Sequence, residues 1–196
     1  MTAGVAGLLL AAGEGRRYGT PKALVELDGR LLVERAAEVL TAGGCVPVTV
    51  VLGAGAEEVV TRAGLDGTRT VLNPAWSSGM GSSLRVGLAA LATSHAEAVV
   101  VMLVDTPDIG PDAVRRLASH ASAAALAIAT YGGRPGHPVL LGRDHWREVA
   151  RLAEGDTGAR PYLAAHPELV RGVPCDDLAG GADVDVPADL PAPHRS

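Results

Sequence analysis

Three glycines, two arginines and one lysine fall within the ten residues from Gly13 to Lys22, directly after the apolar run Val5 to Ala12. An apolar run of this length, bounded by glycines, predicts a strand buried on both faces of a parallel sheet. Gly13, Gly15 and Gly19 let the backbone turn sharply and bring its N–H groups close to a ligand. Arg16, Arg17 and Lys22 add positive charge to the same turn. Backbone donors and cations at the carboxyl end of a strand suit a polyphosphate. The plainer alternative is a glycine-rich turn with solvated arginines. Lys22 is the only lysine among the 17 lysine and arginine residues of the chain. A compact ammonium and a planar guanidinium are not equivalent at a phosphate, so its survival here supports the ligand reading.

Two further stretches carry chemistry. Ala98 to Val104, the most strongly apolar run, ends in Asp105-Thr106-Pro107-Asp108. A carboxylate at the carboxyl end of a central strand stands where ligands bind in open α/β sheets. Its alternative role is a helix cap ahead of Pro111. Asn73 to Ser83 gathers Ser77, Ser78, Ser82 and Ser83 before the apolar-periodic segment Leu84 to Leu91. This predicts a loop and an N-cap, with hydroxyl and backbone donors at the positive end of a helix, suited to a base or a phosphate. Ordinary capping accounts for one of these serines. A lone histidine such as His137 is more often structural than catalytic, and Asp183 and Asp189 suit solvated turns. Trp76 and Trp146 suit packing.

The elements that must position these groups alternate. Arg30 to Leu40 has helical apolar spacing and Gly43-Gly44 ends it. Val46 to Leu52 is a β-branched strand, Ala56 to Ala63 a short helix, and Thr68 to Leu72 a third strand. Pro111 opens a helix to about His120. Ala123 to Thr130 is a strand, Tyr131 to His137 a Gly/Pro-rich connection, and Pro138 to Leu141 a short strand. Arg143 to Leu152 and Pro161 to Ala165 suit helices, with the glycine-bearing loop Glu154 to Arg160 between them. Glu168 to Val173 suits a sheet edge, and the tail after Leu190 is expected to be loose. Strand–helix alternation predicts an α/β fold, a mainly parallel sheet with helices on both faces, in one domain over 1–196.

Composition narrows the partners. A formal net charge of −5 gives no general attraction to nucleic acid or to an anionic membrane. No apolar run approaches ~18 residues, and no basic region precedes a signal-like segment, so the cytoplasm is the expected location. Cys45 and Cys175 form no CxxC pair, which points away from zinc and from a disulfide framework.

Three glycine-rich motifs compete for the first loop. A P-loop requires GxxxxGK before Ser or Thr, but Lys22 lies between Pro21 and Ala23. Gly13, Gly15 and Gly19 give GxGxxxG, near a dinucleotide fingerprint. That motif also needs an acid at the end of the second strand, and here the strand ends Leu52-Gly53-Ala54-Gly55. The third pattern fits best. Leu10-Ala11-Ala12-Gly13 with Arg17, Gly19 and Lys22 resembles the opening motif of MobA-like nucleotidyltransferases. Asn73-Pro74, Gly79-Met80 and Ser82-Ser83-Leu84 resemble their base-side loop, and Asp105-x-Pro107 their metal motif. Gly136-His137-Pro138, Gly155 to Arg160 and Asp183-Val184-Asp185 resemble their second half. Within that superfamily the chain is most similar to molybdenum cofactor cytidylyltransferases. It departs from their pattern at Gly15, Tyr18, Thr106 and Val186, where the family usually has Ser, Met, Gln and Thr.

The resemblance implies a Rossmann-like nucleotidyltransferase fold and Mg²⁺-dependent transfer of CMP from CTP to a molybdopterin-type phosphate, with release of pyrophosphate. By that resemblance Leu10, Ala11, Ala12, Gly13 and Gly15 bind nucleotide with Arg17, Lys22, Ser82, Ser83 and Asp105. Arg17, Lys22 and Asp105 are the catalytic set, Asp105 and Asp185 the metal pair, and His137, Asp156 and Arg160 the acceptor site. The Ala11-Ala12-Gly13 form goes with CTP, and GTP-using relatives have Gly where Ala12 stands. The alternatives are a GTP-using or sugar- or alcohol-phosphate transferase, and a non-catalytic factor handing cofactor to a molybdenum enzyme. An acceptor phosphate is already largely dianionic at neutral pH, its second pKa being ~6, so no general base is required. Positioning and electrostatic stabilisation remain as the sources of rate.

Overall fold

The computed structural model describes residues 4–180, 183 and 187–189. Seven strands form one sheet: β1 (Val5–Ala11), β4 (Val48–Leu52), β5 (Arg69–Leu72), β6 (Ala98–Leu103), β7 (Leu126–Tyr131), β8 (Arg134–Gly142) and β9 (Val170–Pro174). Their order across the sheet is β5-β4-β1-β6-β8-β7-β9. β5, β4, β1 and β6 run parallel, β8 is antiparallel to both neighbours, and β9 is parallel to β7. The short β2 (Glu26–Leu27) and β3 (Arg30–Leu31) make a separate ribbon through a turn at Asp28-Gly29, both of positive φ.

β1 is apolar throughout because both its faces are covered. Leu9 and Ala11 pack under α1 (Leu32–Ala42), α2 (Ala56–Arg62) and α4 (Pro111–Ala118), through Leu32, Leu40, Val59, Val114 and Leu117. Ala6, Leu8 and Leu10 pack under α3 (Met80–Leu91), α5 (Trp146–Leu152) and α6 (Arg160–Ala165), through Leu84, Leu88, Val149 and Tyr162. Each leucine moved fully out of water contributes about 1.5–3 kcal/mol, so this strand anchors the residues at its end. The result is the expected three-layer, mainly parallel α/β fold. Among the described residues no helix is long and apolar enough to cross a membrane.

Arg30 and Leu31, expected to open a helix, pair as β3 instead, and β7 starts at Leu126 rather than Ala123. Two further differences bear on the site. α3 begins at Met80 rather than Leu84, with Gly79 as N-cap and no side-chain capping bond. Ser82 and Ser83 therefore lie in its first turn instead of capping it. Glycine and serine are weak helix formers, but close packing overrides propensity: a Cβ on Gly87 would collide with the Leu8 side chain. The strand expected at Pro138 to Leu141 runs from Arg134 to Gly142, and Gly132-Gly133, both left-handed, turn a hairpin from β7.

Candidate active site

The chain leaves β1 toward β4 and β5, then crosses back to β6 on the opposite side of β1, so the sheet has its topological switch point between β1 and β6. Leu10 stands beside Leu103 there. Ligands bind at such a point, outside the carboxyl ends of the strands. A cleft of about 450 Å³ opens at this place. Leu10, Ala12, Gly13, Gly15, Arg17 and Lys22 of the predicted set line it, as do Ser83, Asp105 and Asp156. Ala11 does not, because its side chain faces the opposite helical layer.

The first loop is a backbone cradle. The Ala12 carbonyl accepts from the Ala54 amide at 3.0 Å, which ties the loop to the neighbouring strand end. Gly15 has φ +63°, and its carbonyl accepts from the amides of Tyr18 at 2.9 Å and Gly19 at 2.8 Å. A Cβ at Gly15 would collide with the Thr20 carbonyl oxygen, so this turn requires glycine where the resembling family usually has serine. Among the described residues the amides of Gly13, Glu14 and Gly15 donate to no acceptor. A Cβ on Gly13 would meet nothing within 4 Å. Unpaired amides facing an open cleft are what an anion needs.

Asp105 follows β6 and is not a cap, since α4 has Gly110 at its N-cap. Lys22 Nζ donates to Asp105 Oδ2 at 2.7 Å, and the two side chains are only 15% and 19% exposed. Asp105 Oδ1 is buried and among the described residues accepts no hydrogen bond. A buried carboxylate oxygen without a partner is costly, and a hard cation would relieve it. Among the described residues no group of three acidic, histidine or cysteine side chains converges as a complete metal site. Asp185, the expected second carboxylate, lies outside the described residues.

The base-side loop divides its serines. Asn73 is fully buried, and its Nδ2 donates to Ser82 Oγ at 2.8 Å and Ser83 Oγ at 3.0 Å. Ser82 has one hydroxyl hydrogen to share between the carbonyls of Gly79 at 2.8 Å and Ala75 at 3.0 Å, facing away from the cleft, so it organises the loop. Ser83 lines the cleft. Gly79, with φ +108°, abuts Gly155, and the Gly81 amide donates to the Gly155 carbonyl at 2.8 Å. The Asp156 carboxylate accepts from the Met80 amide at 3.4 Å, and its charge bears on Arg16, which pairs with Glu14.

Of the expected acceptor residues, His137 feels the charge of Arg160, while Asp156 contacts the base-side loop. Asp156 joins the base-side loop at the mouth of the cleft. His137 lies on β8, and continuing the β6–β8 register past Val101–Val139 sets it opposite Leu103, two residues before Asp105. Burial pushes its imidazole down to about 4, against the favourable Asp105 charge, and the Arg160 charge lowers it further. His137 is therefore neutral at pH 7, donating from one ring nitrogen and accepting at the other. Arg160 is exposed and lies outside the cleft lining.

The model of the MobA-like NTP transferase domain matches residues 7–170. The chain belongs to the MobA-like NTP transferase family. A nicotine blue oxidoreductase from Paenarthrobacter nicotinovorans is 43% identical, with 92% of each chain covered. A molybdenum cofactor guanylyltransferase from Cereibacter sphaeroides is 34% identical over 94% of this chain and 92% of its own. Among solved structures, Rv0371c from Mycobacterium tuberculosis H37Rv is 30% identical, covers 95% of both chains and has a TM-score of 0.82. Its complex with manganese has a TM-score of 0.75, at 28% identity over 96% and 94% of the two chains.

Within the MobA-like pattern the Thr106 departure has a local reason. Its side chain is 4% exposed, and its hydroxyl donates to the Leu103 carbonyl at 2.9 Å, closing the turn that presents Asp105. Val186 lies outside the described residues. One cleft residue that sequence reasoning assigned to packing is Trp76, which lines the MobA-like cleft beside Gly53. Its signal was the bare glycine at the end of the second strand.

Proposed function

We propose that this protein transfers a nucleoside monophosphate from a nucleoside triphosphate to a phosphorylated, molybdopterin-type acceptor and releases pyrophosphate. The carrying observation is the unpartnered Asp105 Oδ1, buried beside Lys22 and next to the free amides of Gly13 to Gly15. These amides would hold the β- and γ-phosphates. Arg17 and Lys22 would neutralise charge gathering on the α-phosphate and the leaving pyrophosphate. Asp105 and Asp185 are the residues that would hold a divalent cation, which supplies further neutralisation of phosphate charge when bound. Magnesium is the proposed ion, and the manganese complex of the Rv0371c relative supports a divalent site. His137, neutral, would hydrogen-bond the acceptor. The acceptor phosphate, already dianionic, attacks the α-phosphate without a base.

CTP is the proposed donor. The Ala12 methyl lines the cleft where GTP-using relatives of the resembling family keep glycine. The guanylyltransferase relative supports GTP as the alternative. Pyrophosphate release with each triphosphate, offered a molybdopterin-type acceptor, decides between them. CTP is expected to be used at least tenfold better, and equal use of GTP overturns the base assignment.

A second reading, a reductase taking hydride from a pyridine dinucleotide, is favoured by the 43% identical oxidoreductase. Its pyrophosphate would use the same amides, without the usual ribose-binding acid after β4. Loss of 340 nm absorbance from NADH or NADPH with nicotine blue, unaffected by Asp105→Asn, would replace the transferase reading.

A further inference from the structure

We propose that Trp76 is the stacking platform for the nucleobase and sets how tightly a nucleoside triphosphate is held relative to its phosphates alone. The inference rests on the cleft being a nucleotide site. Trp76 opens the turn Trp76–Ser78 between Asn73 and α3, and its half-buried side chain lines the cleft. Trp146 is its contrast: 6% exposed, it spends its indole N–H on the Leu141 carbonyl at 2.9 Å. Among the described residues the Trp76 indole N–H has no such partner. A tryptophan kept only for packing is normally satisfied as Trp146 is.

Two features place the ring on the base side. A Cβ on Gly53 would lie 2.6 Å from the Trp76 Cβ, 2.7 Å from its Cγ and 2.7 Å from the Ala12 carbonyl oxygen. Gly53 thus makes room for the root of the indole beside the first loop. This is also where a dinucleotide fold would carry its ribose acid, so the ring takes the place of that contact. The Lys22–Asp105 pair stands at the end of β6, whereas Trp76 stands at the end of β4 beside Gly53. With the Asp105 carboxylate at one end of the cleft, the nucleoside of a triphosphate lying on the Gly13 to Gly15 amides is left the other end, where Trp76 stands. Ser83 and the Met80 thioether complete the wall near Trp76. A flat π-face, one hydroxyl and a polarisable sulfur suit a heteroaromatic ring.

Stacking a base on an aromatic side chain is worth ~1–3 kcal/mol, or about 5- to 150-fold in affinity. The test measures Kd by calorimetry for CTP, GTP and inorganic tripolyphosphate, with wild type, Trp76→Phe and Trp76→Leu. Leucine keeps apolar bulk and removes the π-face, and thermal melts check folding. Trp76→Leu is expected to weaken both nucleoside triphosphates at least fivefold and tripolyphosphate by less than twofold, while phenylalanine retains most of the affinity. In the wild type, nucleotide but not tripolyphosphate should quench the tryptophan fluorescence. Equal loss for tripolyphosphate would make Trp76 a loop-packing residue, and no loss for any ligand would put the base elsewhere. Either result overturns the proposal. A wild type that binds CTP base-selectively yet releases no pyrophosphate would instead count against the transferase reading and leave the stacking intact.

Discussion

The two glycine-rich loops, Ala12 to Gly19 after β1 and Glu154 to Arg160 after α5, look alike as sequence and are built differently. The first ends a strand buried on both faces, and its turn closes on its own carbonyl at Gly15. Packing behind it fixes the backbone, and among the described residues the amides of Gly13, Glu14 and Gly15 donate to no acceptor. The second ends a seven-residue helix and is held from the side, by Gly79 and Gly81 of the base-side segment. Its glycines Gly155 and Gly158 are left-handed, yet a Cβ at Gly155 would meet nothing within 4 Å. Rigidity in one loop comes from the sheet, and in the other from a borrowed surface. Preorganised donors are effective only where the scaffold holds them, so the proposed chemistry is assigned to the first loop.

The comparison breaks most readily at Asp105. Asp105→Asn keeps the shape and the Lys22 contact but removes the charge that a divalent ion needs. Turnover should fall by roughly 10²–10³-fold, with tripolyphosphate affinity in the absence of metal unchanged or improved. Pyrophosphate release and metal-free calorimetry measure the two effects. Retention of wild-type turnover would remove the metal-assisted reading of the first loop.

Lys22 should come next. The Lys22–Asp105 pair is partly buried, and several amides already share the ground-state phosphates. Lys22→Met is expected to lower kcat by about 10²-fold with a much smaller change in nucleotide Kd. Lys22→Arg should rescue little, because a planar fork does not replace a compact charge. A variant losing affinity as steeply as turnover would make Lys22 a ground-state anchor.

How much of this was legible differs between the two halves. Val5 to Ala12 announced itself because a doubly buried strand is apolar at every position, and Asp105 because it follows the next such run. The start of α3 was hidden: Gly79-Met80-Gly81-Ser82-Ser83 reads as loop, and its helicity comes from packing on Leu8 and on the loop at Ala153 to Gly155. β8 was half hidden for the same kind of reason. Its pairing with β6 is long-range, and Arg134 to Pro138 has the glycine and proline content of a loop. Ser82 and Ser83 are equally buried and both accept from Asn73; only the fold separates them, turning Ser82 to the Ala75 and Gly79 carbonyls and leaving Ser83 on the cleft. Asp156 is an acceptor residue only by resemblance, and its contact with the Met80 amide, which joins it to the base-side segment, is a long-range one that no local pattern announces.

Gly15→Ala separates the loops directly. Its added Cβ would collide with the Thr20 carbonyl and force φ away from +63°. The cradle must deform, so triphosphate affinity and turnover should each fall by roughly tenfold or more, about 1.4 kcal/mol. Calorimetry with tripolyphosphate isolates the amides from the base. An unchanged Kd would mean that the amides of Gly13 to Gly15 do not hold phosphate.

Gly155→Ala is the matched change in the second loop and should do least. The backbone there has φ +49°, so alanine carries the left-handed penalty of about 1–2 kcal/mol, with no steric clash added. For a chain of this size that lowers Tm by roughly 2–8 °C. The Gly155 carbonyl can keep its bond from the Gly81 amide, so the base-side segment stays in place. Turnover should remain within about threefold of wild type, a change of ~0.6 kcal/mol in the barrier. Thermal melts and pyrophosphate release measured on the same preparation check both halves. If Gly155→Ala lost activity as deeply as Gly15→Ala while still folded, the second loop would be part of the catalytic scaffold, and the asymmetry between the loops would fail.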